Sequence, residues 1–294
     1  MPALRTPLGI AFQERDFAIL RGLFDSRVLT LSHISRMYFD GRDEAAKKRV
    51  QKLKNAGFIT ERPRRIYEPA VLHLTRTAFQ LLEREGHLVE FPKLSLATLA
   101  DRARVSDLTI RHELDVQEVK TALTVAVNVK KGFRVAEFLT WPLLYQFEVA
   151  FGTGKLLVKP DGFVRITEQD ADGKEFERMF FLEVDRSTES QDVISKRAAC
   201  YREYYQSGRF AQWRGGKREN FRDYPFRVLW TFKTPARRDN AARSMLALNP
   251  PLRTLSYLTT QKEIVADVLG AIWTRPVDYQ TALNSTPIER VSAL

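Results

Sequence analysis

The chain of 294 residues holds one cysteine, Cys200, so neither an intramolecular disulfide nor a cysteine-built zinc cluster is available to it. The thiol sits within KRAACYREYY, a stretch that reads as a helix with Cys200 on its buried side rather than as a nucleophile's setting. Long apolar runs are missing too. Nothing approaches the roughly 20 residues that a spanning helix needs, and the N-terminus lacks a charged-then-apolar leader pattern, so a cytoplasmic location is expected. The four histidines show no metal-ligand spacing, and there is no internal repeat or low-complexity tract. Gly152-Thr153-Gly154-Lys155 ends like a phosphate-binding loop, but Val149 stands where the first glycine is required. Asp170-Ala171-Asp172-Gly173 opens like a calcium loop without the closing glutamate, which leaves a turn.

What is present is enough to fold. Hydrophobic residues make up 44% of the chain and aromatics 11%, so packed cores are expected, and the length favours two domains. Lys and Arg number 47 against 36 Asp and Glu, a net charge of +11. That balance favours a polyanionic partner, nucleic acid before membrane.

The charge is unevenly placed. Phe12, Phe17, Ile19, Leu20, Leu23 and Phe24 recur at roughly helical spacing, Thr30 is a good N-cap for LSHISRMYF, and a third helix, RDEAAKKRVQKLKNAG, stops at Gly57. Two short strand-like pieces around Arg62-Pro63-Arg64-Arg65 follow, then the helix RTAFQLLEREG. Three helices, a basic hairpin and a closing helix describe a winged helix-turn-helix, with the third helix in a major groove and the wing against the backbone. Between Arg42 and Arg65 nine basic residues stand against three acidic ones, a net +6 in 24 residues. The candidate contacts to double-stranded DNA are Lys47, Lys48, Gln51, Lys52, Arg62, Arg64 and Arg65. Cations on phosphates give affinity and salt dependence but carry no base sequence, so no operator is implied. A solvated basic face, or a winged helix that binds protein, is the bland alternative. A homodimer is left open.

These patterns divide the chain into a winged-helix domain at 1–90, a connection at 91–106 and a second domain at 107–294. Ser106 caps the long helical stretch LTIRHELDVQEVKTALTVAVNVK, and strands are expected around RVAEFLT and YQFEVAF. LLVKPDGFVRIT and FERMFFLEVD then flank EQDADGKE, a hairpin with a polar turn. A helix carrying Lys196, the strand FRVLWTFKT, the helix ARRDNAARSMLAL, the strand LSYLTT and a helix from about Gln261 complete an α/β fold with a mixed sheet. On the second strand of the hairpin Glu183 and Asp185 share a face, with Leu182 and Val184 turned to the core, and pairing brings Asp161 beside Glu183. Clustered carboxylates at a sheet rim are what Mg²⁺ or Mn²⁺ needs, and a nearby Lys could steady developing phosphate charge. The bland alternative is a polar sheet face paired with Arg186 and Lys196.

Asp161 after Pro160, Glu183-Val184-Asp185 on the next strand and the helix and strand that follow resemble the PD-(D/E)XK nuclease superfamily. More closely, the winged helix joined to HELDV, KPDGF, FFLEVDRSTES, KRAACYREYY and VLWTF is similar to the replication-relaxation family of bacterial and plasmid proteins, over most of the chain. The superfamily resemblance implies Asp161 and Glu183 as ligands of Mg²⁺, with Glu113 on the first helix assisting. The superfamily's lysine two residues after the acidic position is here Asp185, and in some relatives that lysine moves to the neighbouring helix, where Lys196 lies. Two functions stay open: a DNA-binding protein of plasmid or mobile-element replication or mobilisation with a metal-dependent endonuclease domain, and a regulator or accessory factor whose nuclease fold is degenerate.

Overall fold

The computed structural model describes residues 10–64, 66–90, 106–140, 146–152, 154–281 and 288–294. Two compact units, Met1–Thr121 and Ala122–Leu294, make up the chain. No helix among the described residues is long and apolar enough to cross a membrane.

The first unit runs α1 (Glu14–Ser26), β1 (Leu29–Thr30), α2 (Leu31–Tyr38), α3 (Asp43–Asn55), β2 (Ile59–Glu61), β3 (Val71–Leu74) and α4 (Arg76–Arg84). Its antiparallel strands lie in the order β1-β3-β2, which is the winged-helix arrangement. Local chemistry sets the ends of these helices. The Thr30 hydroxyl accepts from the His33 N–H at 3.2 Å and opens α2. Gly57, at φ +78°, lies just beyond the end of α3, where a left-handed residue is needed to turn the chain into β2. Ile19, Leu20, Leu23, Phe24, Ile34, Leu53 and Leu82, each at most 1% exposed, form the core.

Helix α5 (Asp107–Val129) opens as expected, with the Thr109 N–H donating to the Ser106 hydroxyl at 3.2 Å. The division between the two units falls inside it. Reading the whole helix as part of a domain at 107–294 differs from this, because its first half is tied to the winged helix. Arg27 meets Glu113 at 3.1 Å, Lys120 donates to the Ser26 hydroxyl at 3.0 Å, and Ile110 and Leu114 pack on Val28 and Val71.

In the second unit β4 (Phe133–Thr140), β7 (Gly162–Gln169) and β8 (Glu175–Asp185) form an antiparallel set, while β9 (Phe226–Phe232) and β10 (Ser256–Thr260) continue from β8 in parallel. The mixed sheet has the order β10-β9-β8-β7-β4. Among the described residues β5 (Phe147–Phe151) and β6 (Gly154–Val158) pair with each other in a separate sheet, so LLVKPDGFVRIT is two strands in different sheets rather than one. The β7–β8 turn is built by Asp170, whose side chain accepts from the N–H groups of Asp172 at 3.0 Å and Lys174 at 2.9 Å. Helices α6 (Gln191–Gln206), α7 (Arg209–Trp213), α8 (Pro235–Leu246), α9 (Gln261–Asp267) and α10 (Asp278–Thr281) complete the unit. Phe163, Phe181, Trp230 and Phe232 of the sheet pack with Ile194, Ala198, Tyr201 and Tyr204 of α6. Val164, Phe180, Leu182 and Leu229, on the opposite face, are buried as well. With both faces covered, β8 is buried from Met179 to Asp185. Glu183 and Asp185 therefore do not emerge on an open face, as strand alternation suggested.

Candidate functional site

The end of β8 gathers the carboxylates. The Asp161 N–H donates to the Leu182 carbonyl at 3.0 Å, and the Val184 N–H donates to Asp161 Oδ2 at 2.7 Å, which fixes the Asp161 side chain against the strand bearing Glu183. Glu183 is 1% exposed and has an acceptor bond on each oxygen: Tyr201 Oη donates to Oε1 at 2.5 Å, and Arg197 Nη1 to Oε2 at 3.0 Å. Burial pushes the Glu183 carboxyl up to about 8, with Arg197 opposing the rise and the charge of Asp161 adding to it. Arg197 also donates through Nη2 to Glu189 at 2.6 Å, and its guanidinium is held above its ordinary range, chiefly by the Glu183 charge.

Asp185, 6% exposed, is closed by another guanidinium. Arg237 forks onto it, Nε to Oδ2 at 2.7 Å and Nη2 to Oδ1 at 3.1 Å, and also donates to the Glu189 carbonyl. The fork is aimed from the first turn of α8, where the Thr234 hydroxyl accepts from the Arg237 N–H at 3.3 Å.

Of the residues chosen from the sequence, Asp161 and Glu183 converge as expected, while Asp185 lies on the same strand but is engaged by Arg237. Lys196 does not join them: it is exposed, and its neighbour Arg197 reaches Glu183 instead. Glu113 lies in the first unit, where Arg27 donates to it at 3.1 Å. Arg197, Tyr201 and Arg237 were missed. The sequence did carry a signal for two of them, because Ile194, Ala198 and Tyr201 mark the buried stripe of α6 at spacings of four and three, and position 196 lies off it. This donor set does not fit Mg²⁺ or Mn²⁺ as it stands. A divalent ion would have to share the buried Glu183 with Arg197 and Tyr201, and among the described residues no three His, Cys, Asp or Glu side chains are grouped to hold a metal.

On the winged helix, Lys47, Lys48, Gln51 and Lys52 are exposed along α3, where Gln51 Nε2 donates to Asn55 at 2.7 Å. Two neighbouring cations have other duties. Arg49 pairs with Asp16, whose side chain is fully buried, and Lys54 pairs with Glu61. Arg62 is half-buried, Arg64 is exposed and bonded to Glu61 Oε1 at 2.9 Å, and Arg65 lies outside the described residues.

A family profile described as replication-relaxation matches residues 20–219, a span that runs from within α1 through the rest of the winged helix and the sheet as far as β8 to beyond α6. The chain belongs to the replication-relaxation family. Membership ties it to a role in replication or mobilisation. The matched span includes Asp161, Glu183, Arg197 and Tyr201 and ends before Arg237. No curated protein and no solved structure matches the chain.

Proposed function

We propose that this replication-relaxation protein is a DNA-binding accessory factor of plasmid or other mobile DNA, in which the winged helix engages duplex DNA and the nuclease-like unit does not cut it. The reading is carried by the enclosure of Glu183, a buried carboxylate whose two oxygens are taken by Arg197 and Tyr201. The exposed row Lys47, Lys48, Gln51 and Lys52 supports the DNA contact, because an exposed cationic helix face is what phosphates attract.

One observation favours a second reading, a latent endonuclease. Asp161 is near enough to raise Glu183, and Arg197 already has an alternative partner in Glu189, so a metal could take Glu183 if Arg197 swung away. Incubation with supercoiled plasmid and Mg²⁺ or Mn²⁺ separates the two. Intact plasmid alongside salt-sensitive duplex binding is expected. Nicking that disappears in Asp161→Ala would establish the endonuclease.

A further inference from the structure

The loop that joins β2 to β3 ends the wing in two large apolar side chains exposed to water. Ile66 is 94% exposed, the most exposed large hydrophobic side chain among the described residues, and Tyr67 is 75% exposed. Single surface hydrophobics are ordinary, but an adjacent pair at the tip of a hairpin adds nothing to the core of this unit. Arg64 donates to Glu61 Oε1 at 2.9 Å and to the Glu68 carbonyl at 2.7 Å, which straps the loop across its base, and Pro63 and Pro69 restrict the backbone on either side. The surface so formed has an apolar point with the guanidinium of Arg64 beside it, Nη1 lying 3.5 Å from the Ile66 carbonyl.

A partner that fits it has an anionic rim around a flat apolar interior. Duplex DNA has that construction, with phosphates outside and stacked bases within. With α3 in the major groove, the hairpin beside it is left the adjacent minor groove, where apolar side chains are known to part base steps. We propose that Ile66 and Tyr67 form a wedge that enters the minor groove of bound DNA and opens one base step, kinking the duplex. The proposal rests on the DNA-binding reading above and adds to it a site, a mode of contact and a preference. Pyrimidine–purine steps such as TpA unstack most easily, so DNA with such a step beneath the wing should be favoured over a stiff A-tract.

The test compares the full-length protein with its Ile66→Ser/Tyr67→Ser variant on duplexes of about 30 base pairs, labelled at both ends for energy transfer and carrying either a central TpA step or an A-tract. Both substituted side chains are exposed, so the variant should melt with the wild type. The expected result is a bend in the range of roughly 20–90° with wild type, and none with the variant. The variant should bind the TpA duplex roughly tenfold more weakly, with the salt slope unchanged because no phosphate contact is lost. Lys48→Ala, on α3 and away from the tip, should behave conversely, keeping the bend and lowering the slope by about 0.9. If wild type and the double variant bind alike and neither bends the DNA, the wedge is overturned while the DNA-binding reading stands, and a protein partner becomes the better occupant of the tip. If the wild type binds no duplex at any salt concentration, both readings fall together.

Discussion

Arg197 and Lys196 are adjacent in sequence and differ in every consequence. Removing Arg197 leaves Glu183 buried with one oxygen uncovered and no compensating charge, a loss expected to cost about 3–5 kcal/mol. The cost should depend on pH. Burial raises Glu183 from its ordinary 4.5 to about 8, so between those values the folded chain holds a proton that the unfolded chain has released. The stability linked to that proton is complete below about 4.5 and is lost as pH rises through about 8. Arg197 opposes the rise, so Arg197→Ala should lose more stability at pH 9 than at pH 5 in urea titrations. Lys196→Ala, at an exposed position, should stay within about 0.5 kcal/mol of wild type at both. Equal effects from the two substitutions would remove Arg197 from the site.

At the scale of the element, α3 divides its cations between folding and binding. Arg49 turns inward to the fully buried Asp16, so Arg49→Ala should destabilise the chain by about 3–5 kcal/mol and leave the salt slope of DNA binding unchanged for the protein that remains folded. Lys48→Ala should do the reverse, within about 0.5 kcal/mol in stability and with a slope lower by about 0.9. Gly22 presents a similar contest on α1. A Cβ there would run into the Tyr38 hydroxyl, so Gly22→Ala should destabilise by about 1–3 kcal/mol in thermal melts, although alanine is the better helix former. Features like the Thr30 cap, the Gly57 stop, the Ser106 start and the Asp170 turn were legible in sequence because their partners lie within a few residues. The parallel pairing of β8 with β9 and the cover on both sheet faces were not, since both depend on segments dozens of residues away. The site was half legible for the same reason. Register brought Asp161 to Glu183, but an alternating strand does not reveal whether its polar face meets water or a helix carrying Arg197 and Tyr201.

For the whole molecule, the division inside α5 decides where the chain can be cut. A fragment of residues 1–90, the domain that sequence patterns suggest, lacks every contact that the first half of α5 makes with the winged helix, while a fragment of residues 1–121 keeps them. Those contacts include Arg27 with Glu113, whose side chains are 10% and 14% exposed, and the apolar seam of Ile110 and Leu114 on Val28 and Val71. They also include Glu118, which accepts from His33 Nε2 at 3.2 Å and from Arg36. The Thr30 N–H donates to His33 Nδ1, which puts the imidazole proton on Nε2, facing Glu118. The His33 hydrogen bond and the Arg36 charge hold Glu118 down at about 2 against the ordinary 4.5. A depressed carboxylate stabilises the fold above its unfolded value and loses that contribution as pH falls toward its folded one, here of the order of 3 kcal/mol at neutral pH. Small domains have only about 5–15 kcal/mol in all, so the shorter fragment should be marginal. At pH 7 the 1–121 fragment should unfold at clearly higher urea than the 1–90 fragment, and the difference should narrow between about pH 4.5 and pH 2 as Glu118 takes up its proton. Two fragments with the same urea midpoint at pH 7 would place the first half of α5 outside the winged-helix unit.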